Sequence, residues 1–398
     1  MWPISSSFKN GLSKPVRDVT MRVTAVDSTT MLPLLDITSP TVEGTVYVDV
    51  ERATRRTAQI RLINTDGAFT PTGSDYTNLG TNSVFFWNKL FKIEYGLLVG
   101  SDYEWCPLGI FMVDSVEVMA EKGVSVLNIN GSDRWKMLTF STFAAPVTWA
   151  KGTALNTVIS DIASAAGITQ LNLANLSGRT ADQNTTQIPI FFEADDNRGD
   201  KLKELCATWN LEIFFDVNGY LVTRDITDRN SDMFNQPPVW TFAGGKDSIF
   251  ISITKQTSGD GIKNHIVVTG EADDGTAVVR AEAVDGVGTT DTSHYYTNSV
   301  GPLTTTQIGD RVLHIKSTVY RKTAECLDRA KTELLNNRIV SEDISLPIIV
   351  VPCFEGNDVI QIIETNSKTN DRYFLSSFDI PMQSSSTQEL KVNKVRNI

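Results

Sequence analysis

The chain has 398 residues, with 36 Lys and Arg against 47 Asp and Glu, and a formal net charge of −11. That surplus is repelled by phosphate backbones and anionic membranes, which argues against a nucleic-acid-reading or membrane-surface protein. At 41% hydrophobic residues there is material for well-packed cores, and the length exceeds what one core usually spans.

The first residues, Met1 to Val19, lack the apolar run of a signal peptide, and nothing along the chain approaches the ~20 apolar residues of a membrane helix. Cys106, Cys206, Cys326 and Cys353 are isolated, without CxxC spacing or a neighbouring histidine. They read as buried thiols of a protein made in a reducing cytoplasm.

Residues 1–145 read as β structure. In Thr57-Ala-Gln-Ile-Arg-Leu62 the apolar Ala58, Ile60 and Leu62 alternate with polar residues, the period of a half-buried strand. Phe91–Tyr95, Gly109–Val113 and Val124–Ile129 are further strands. In the last, the apolar phase slips between Val126 and Leu127, which predicts a β-bulge there.

From 146 to 240 the period becomes helical. Leu155, Val158, Ile159, Ile162, Ala163 and Ala166 form one face, with Thr153 as expected N-cap and Gly167 as expected C-terminal glycine. Leu202, Leu205, Cys206 and Trp209 repeat the pattern. Leu211–Asp216 and Tyr220–Asp225 predict a hairpin turning at Asn218-Gly219. This is a small α+β module, and Pro237-Pro238 marks the link to the third part, 241–398. There Ser248–Ile253 and His265–Thr269 read as strands. A helix inserted at about 318–338 puts Ala324, Leu327, Ala330 and Leu334 on one face.

The two β parts echo each other. Phe111-Met-Val-Asp-Ser-Val-Glu-Val118 aligns with Tyr373-Phe-Leu-Ser-Ser-Phe-Asp-Ile380, and Leu127–Asn130 with Leu390–Asn393. Both then reach an arginine, Arg134 and Arg396. Upstream, Lys89–Tyr95 aligns with Asp358–Glu364. The pattern alone fits both a duplication and the likeness of generic hairpins.

No catalytic, cofactor or metal site emerges. Asn64-Thr-Asp-Gly-Ala-Phe-Thr-Pro71 lacks the alternating oxygen ligands and closing glutamate of a calcium loop, and reads as a tight turn. Asp195-Asp-Asn-Arg-Gly-Asp200 suits a helix N-terminus, and Glu271–Gly275 a hairpin loop. His265, His294 and His314 have no hydrolase signature around them, and Gly244-Gly245-Lys246 lacks phosphate-loop spacing. Phe85, Phe86, Trp87 and Trp105 suit packing better than sugar stacking. Arg52, Arg55, Arg56 and Arg61 cluster in an acidic chain. Arginine's planar fork pairs with carboxylates, so they are the candidate subunit-interface residues.

Arg55–Gly67, Phe91–Gly96, Pro107–Val116 and Ile129–Arg134, taken in order, resemble the N-terminal part of bacteriophage minor tail proteins that build the tail hub. Gly152–Ile162, Phe215–Arg224, and Ala324–Leu335 leading to Pro352–Ile360 and a closing hairpin extend the resemblance over nearly the whole chain. The turn at Gly356-Asn357-Asp358 departs from the family's Gly-Asp pattern. Other hub proteins carry a C-terminal lysozyme, peptidase or adhesin domain, and no such domain is expected here.

The resemblance implies an α+β, mainly β fold. Two similar tail-tube-like β-barrel domains, 1–145 and 241–398, flank the module at 146–240. It implies a homotrimer whose six similar domains ring a channel that DNA passes without specific binding. Expected partners are the distal tail ring protein or tail tube, the tape measure protein and a tip or fibre protein. The expected location is the virion, after synthesis in the host cytoplasm. A sixfold distal tail ring, a carbohydrate-binding tail adhesin and a cell-wall hydrolase are the competing readings.

Overall fold

Alternation builds the core as expected: Ala58, Ile60 and Leu62 are at most 2% exposed, whereas Gln59 and Arg61 face outward. The computed structural model describes residues 1–394 apart from 15, 73–83, 122, 179–185, 187–188, 210, 226–236, 246–248, 273–276, 318–319, 338–340 and 384–385. Arg396, most of the Glu271–Gly275 loop and Lys246 therefore lie outside the described residues.

The first part holds helix α1 (Ser6–Leu12) and strands β1 (Val19–Val26), β2 (Pro33–Asp36), β3 (Thr41–Asp49), β4 (Arg56–Ile63), β5 (Leu90–Val99), β6 (Asp102–Glu121) and β7 (Val124–Ser132). The middle holds α2 (Trp135–Thr139), β8 (Val147–Trp149), α3 (Leu155–Ala165), β9 (Leu171–Asn172), β10 (Ile190–Phe192), α4 (Arg198–Thr208), β11 (Leu211–Phe215) and β12 (Leu221–Asp225). It packs around its own core, with Trp135, Ile159, Leu202 and Phe215 buried.

The third part begins with β13 (Trp240–Ala243) and β14 (Thr254–Ser258). It then inserts β15 (His265–Glu271), β16 (Val278–Val284), β17 (His294–Tyr296), α5 (Thr305–Ile308), β18 (Val312–Lys316) and α6 (Thr323–Asn337). It ends on β19 (Ser341–Ile349), β20 (Val359–Glu364), β21 (Thr369–Pro381) and β22 (Thr387–Lys394).

Several local expectations are met. Gly219 adopts φ +76° in the β11–β12 hairpin, and Gly167 adopts φ +82° just after α3. Asn64 is buried and binds the Phe69 N–H, so the 64–71 stretch is a self-bonded turn. Asn197 caps α4 by accepting from the Asp200 N–H at 3.1 Å.

Others differ. Thr153 does not cap α3; its hydroxyl donates to the Ala150 carbonyl instead. Of Ser248–Ile253, Ser248 lies outside the described residues, the rest forms a bridge, Phe250 to Ile348, and the strand comes at 254–258. The insertion carries more than a helix. It is a four-stranded sheet ordered β17-β16-β15-β18, with α6 laid on β15 and β16 over a separate core.

β7 stays in register with β4 through Val126 and Leu127, so no bulge sits there. The shift in the β6–β7 ladder falls between Val113 and Ser115, leaving Asp114 as the extra residue.

The two β parts are joined. Their strands form one 13-stranded sheet along β14-β19-β22-β21-β3-β4-β7-β6-β5-β1-β2, with β20 attached to β21 and β13 to β20. One apolar cluster runs beneath both parts.

Within that sheet the same six-strand unit occurs twice. β3-β4-β7-β6-β5-β1 in the first part corresponds to β14-β19-β22-β21-β20-β13 in the third, in the same chain order. The details repeat as well. The β21–β22 ladder shifts between Leu375 and Ser377, as β6–β7 does between Val113 and Ser115. Asn88 and Asn357 both take φ 69°, and each donates its N–H to the matching strand residue, Val113 or Leu375. A non-glycine residue at positive φ is uncommon, so its recurrence at matched positions marks a true internal duplication. The copies differ at the end of the unit, where β1 joins β5 antiparallel but β13 joins β20 parallel.

Candidate assembly interface

Where the copies meet, β21 pairs antiparallel with β3, Ser377 to Asp49 through Pro381 to Thr45. Phe378 and Ile380 face Val48 and Val46 across this seam, all at most 3% exposed. Each such side chain is worth about 1.5–3 kcal/mol when buried, an upper figure because unfolded chains already bury some surface. Gly44 is required here, since a Cβ would sit 2.2 Å from the Met382 sulfur and 2.8 Å from the Gln59 carbonyl.

The arginines of the 52–61 stretch divide into two pairs. Arg52 and Arg61 are exposed and bridge Asp49 and Glu43 from the same face. Arg55 and Arg56 are 6% and 2% exposed and bind carboxylates within the chain. The Arg55 guanidinium pairs with Glu212 of β11 and stacks 4.0 Å from the Phe214 ring. Glu212 also takes Arg224 at 2.6 Å.

Arg56 donates to Glu355, in the turn before β20, and at 3.0 Å to the Leu108 carbonyl. Leu108 is the extra residue of a bulge in the β5–β6 ladder, which leaves its carbonyl without a strand partner. Asp133, at the end of β7, accepts the Arg56 and Trp135 N–H groups. Its burial pushes its pKa up to about 6. This junction ties the first β part to the module and to the third part. Sequence reasoning missed its acidic half, Glu212, Glu355 and Asp133.

The outward face across the joined copies is polar. One row runs Glu117, Asn128, Arg61, Glu43 through β6, β7, β4 and β3. Farther along lie Asp379 on β21, and Glu389 and Lys391 on β22. Shallow grooves over this face are lined by these same residues. Carboxylates outnumber cations on it.

The remaining candidate groups are spread elsewhere. His265 and His294 meet at Glu282, 3.4 and 3.2 Å away, with Asp310 on the first and Asp291 on the second. His314 lies on β18. Among the described residues no set of His, Cys, Asp or Glu is placed to hold a metal. Among the described residues no helix is long and apolar enough to cross a membrane. Phe85 is fully buried and Arg22 covers Trp105 at 4.2 Å, whereas Trp87 stays exposed. All four cysteines are buried free thiols, Cys106 lying against Cys353 in the shared core.

No protein-family model and no curated protein matches the chain by sequence. Its fold does match solved structures. The tail protein of Neisseria meningitidis MC58 superposes with a TM-score of 0.59 over 94% of this chain and 97% of its own, at 12% identity. The 43 kDa tail protein of prophage MuSo2 from Shewanella oneidensis gives 0.59 over 96% and 99%, at 10% identity. Prophage tail protein gp18 of Listeria monocytogenes EGD-e gives 0.51 over 94% of each chain, at 11% identity. The chain has the mainly β fold of bacteriophage tail proteins.

Proposed function

We propose that the chain is a structural, non-enzymatic protein of a phage virion, the hub at the distal end of the tail. Three copies form a ring that adapts a sixfold tail tube or distal ring to a threefold tip. The observation that carries this reading is the duplicated strand unit: three chains, each holding two copies, present six similar units around one axis. The units are assigned to 1–145 and 241–398, with the module at 146–240 between them. Distal ring, tape measure and tip proteins are the proposed neighbours.

Negative-stain images of the purified chain, with its solution mass, test the reading. A trimeric ring with a central hole is expected. A sixfold ring of six chains would instead indicate a distal tail ring.

In this reading the polar face lines the DNA channel, where its surplus of carboxylates keeps passing DNA from adhering. Arg61 and Arg52 sit on that face, and their interface role is proposed only at its rim. Changing Asp379 and Glu389 together to lysine should slow genome release from otherwise complete particles. Release at the unaltered rate would remove the charge argument.

A further inference from the structure

The duplication gives the within-chain seam a counterpart that the single chain leaves open. β21 has β22 on one edge, and β20 followed by β3 on the other. β6 matches it with β7 on one edge and β5 on the other as far as Met112. Beyond that, among the described residues, no strand pairs with β6 on the β5 side. The residues there, Val118 and Met119, are 42% and 52% exposed, whereas their counterparts Ile380 and Pro381 are buried. The counterpart of β3 is β14, which among the described residues is an edge strand paired to β19 alone, with Thr254 to Thr257 exposed.

We infer that β14 of one copy of this chain adds to the open edge of β6 in a second copy. The ladders fix the register. Ile60 pairs Ile129 and Val116 pairs Ile129, as Leu346 pairs Leu390 and Phe378 pairs Leu390, so β4 maps onto β19 and β3 onto β14. Carrying the β21–β3 register across, Ser115 faces Ser258, Val116 Thr257, Glu117 Gln256, Val118 Lys255 and Met119 Thr254.

Open strand edges are templates for pairing, and main-chain bonds supply the affinity. The Lys255 stem lies over Val118 and covers its exposed surface. β14 carries no large apolar side chain, which suits a strand that must stay soluble before it docks. The contact joins two different edges, so it is heterologous and propagates until it closes. This inference rests on the hub reading and adds the strands and register of its subunit contact.

The test is a disulfide across the seam. In the β21–β3 ladder the Met382 N–H bonds the Gly44 carbonyl and the Val50 N–H bonds the Ser376 carbonyl. The intervening Asp379–Tyr47 pair is therefore of the non-hydrogen-bonded kind, with Cα atoms about 4.5 Å apart, within disulfide range. Its counterpart is Glu117–Gln256. Within one chain six strands separate β6 from β14, so an oxidised bond between those sites must link two copies.

The full chain carrying Glu117→Cys and Gln256→Cys should oxidise to a covalent trimer. Glu117→Cys with Lys255→Cys, whose side chains leave opposite faces, should give about tenfold less. A trimer by solution mass in which the Glu117/Gln256 pair cross-links no better than the control overturns the register and leaves the hub reading standing. A covalent ladder running past three copies keeps the seam and overturns the trimer. A monomer at high concentration without cross-links overturns both.

Discussion

Arg56→Ala is expected to cost the folded chain about 3 kcal/mol, whereas Arg61→Ala on the same strand should cost under about 0.5 kcal/mol. The difference is burial. The Arg56 side chain is 3% exposed, and its removal strands the Leu108 carbonyl in the core. Its partner Glu355 is 27% exposed, so solvent recovers part of that charge and the loss falls at the low end for a broken buried pair. Arg61 and Glu43 are 46% and 44% exposed, where an ion pair is screened and gains little. Urea denaturation of the two variants decides the matter. Equal midpoints would mean that Arg56 is not the tie between the β parts.

The same contrast shows how far the sequence was legible. Period-two alternation in Thr57–Leu62 named the buried residues correctly, because it depends only on neighbours along one strand. The Asn218-Gly219 hairpin was equally local. The fate of Arg55 and Arg56 was not, because their carboxylates lie 157 and 299 residues away. The apolar slip at Val126 had another cause than a bulge. Val126 pairs Ile63 and Met119, which are 46% and 52% exposed on the same outward face as Arg61, Asn128 and Glu117, so the slip is a row of apolar residues on the outer side while Leu62 and Leu127 stay buried inside.

In the insertion the sequence showed strand patterns at His265–Thr269 and around His314, and one helix. Its remaining strands join partly in parallel across long connections, where no turn signal marks the pairing. The echo between the β parts was legible only in part. Lys89–Tyr95 and Asp358–Glu364 align as the ladders place them, with Phe91 opposite Phe111 and Ile360 opposite Tyr373. Leu127 and Leu390 do not correspond: the ladders match Leu390 with Ile129, two residues along, a shift that preserves facing and so leaves the apolar pattern unchanged.

Because the unit is duplicated, one substitution can be placed at the same point in two different contexts. Ile380→Lys puts an ammonium group opposite Val46 in a seam where both residues are 0% exposed. An unpaired buried charge there should cost more than about 4 kcal/mol and abolish cooperative unfolding of the joined β parts. Val118→Lys places the same charge at the counterpart position of β6, on an edge that is open in the single chain. Monomer stability should change by under about 0.5 kcal/mol there. Docking β14 would instead set that ammonium directly opposite the Lys255 ammonium and interrupt the apolar contact, so the trimer should be lost from the solution mass. If Val118→Lys unfolds the chain as Ile380→Lys does, the edge is already occupied within one subunit. If it leaves the trimer intact, subunits meet through another surface. Only a folded monomer places the second seam between chains.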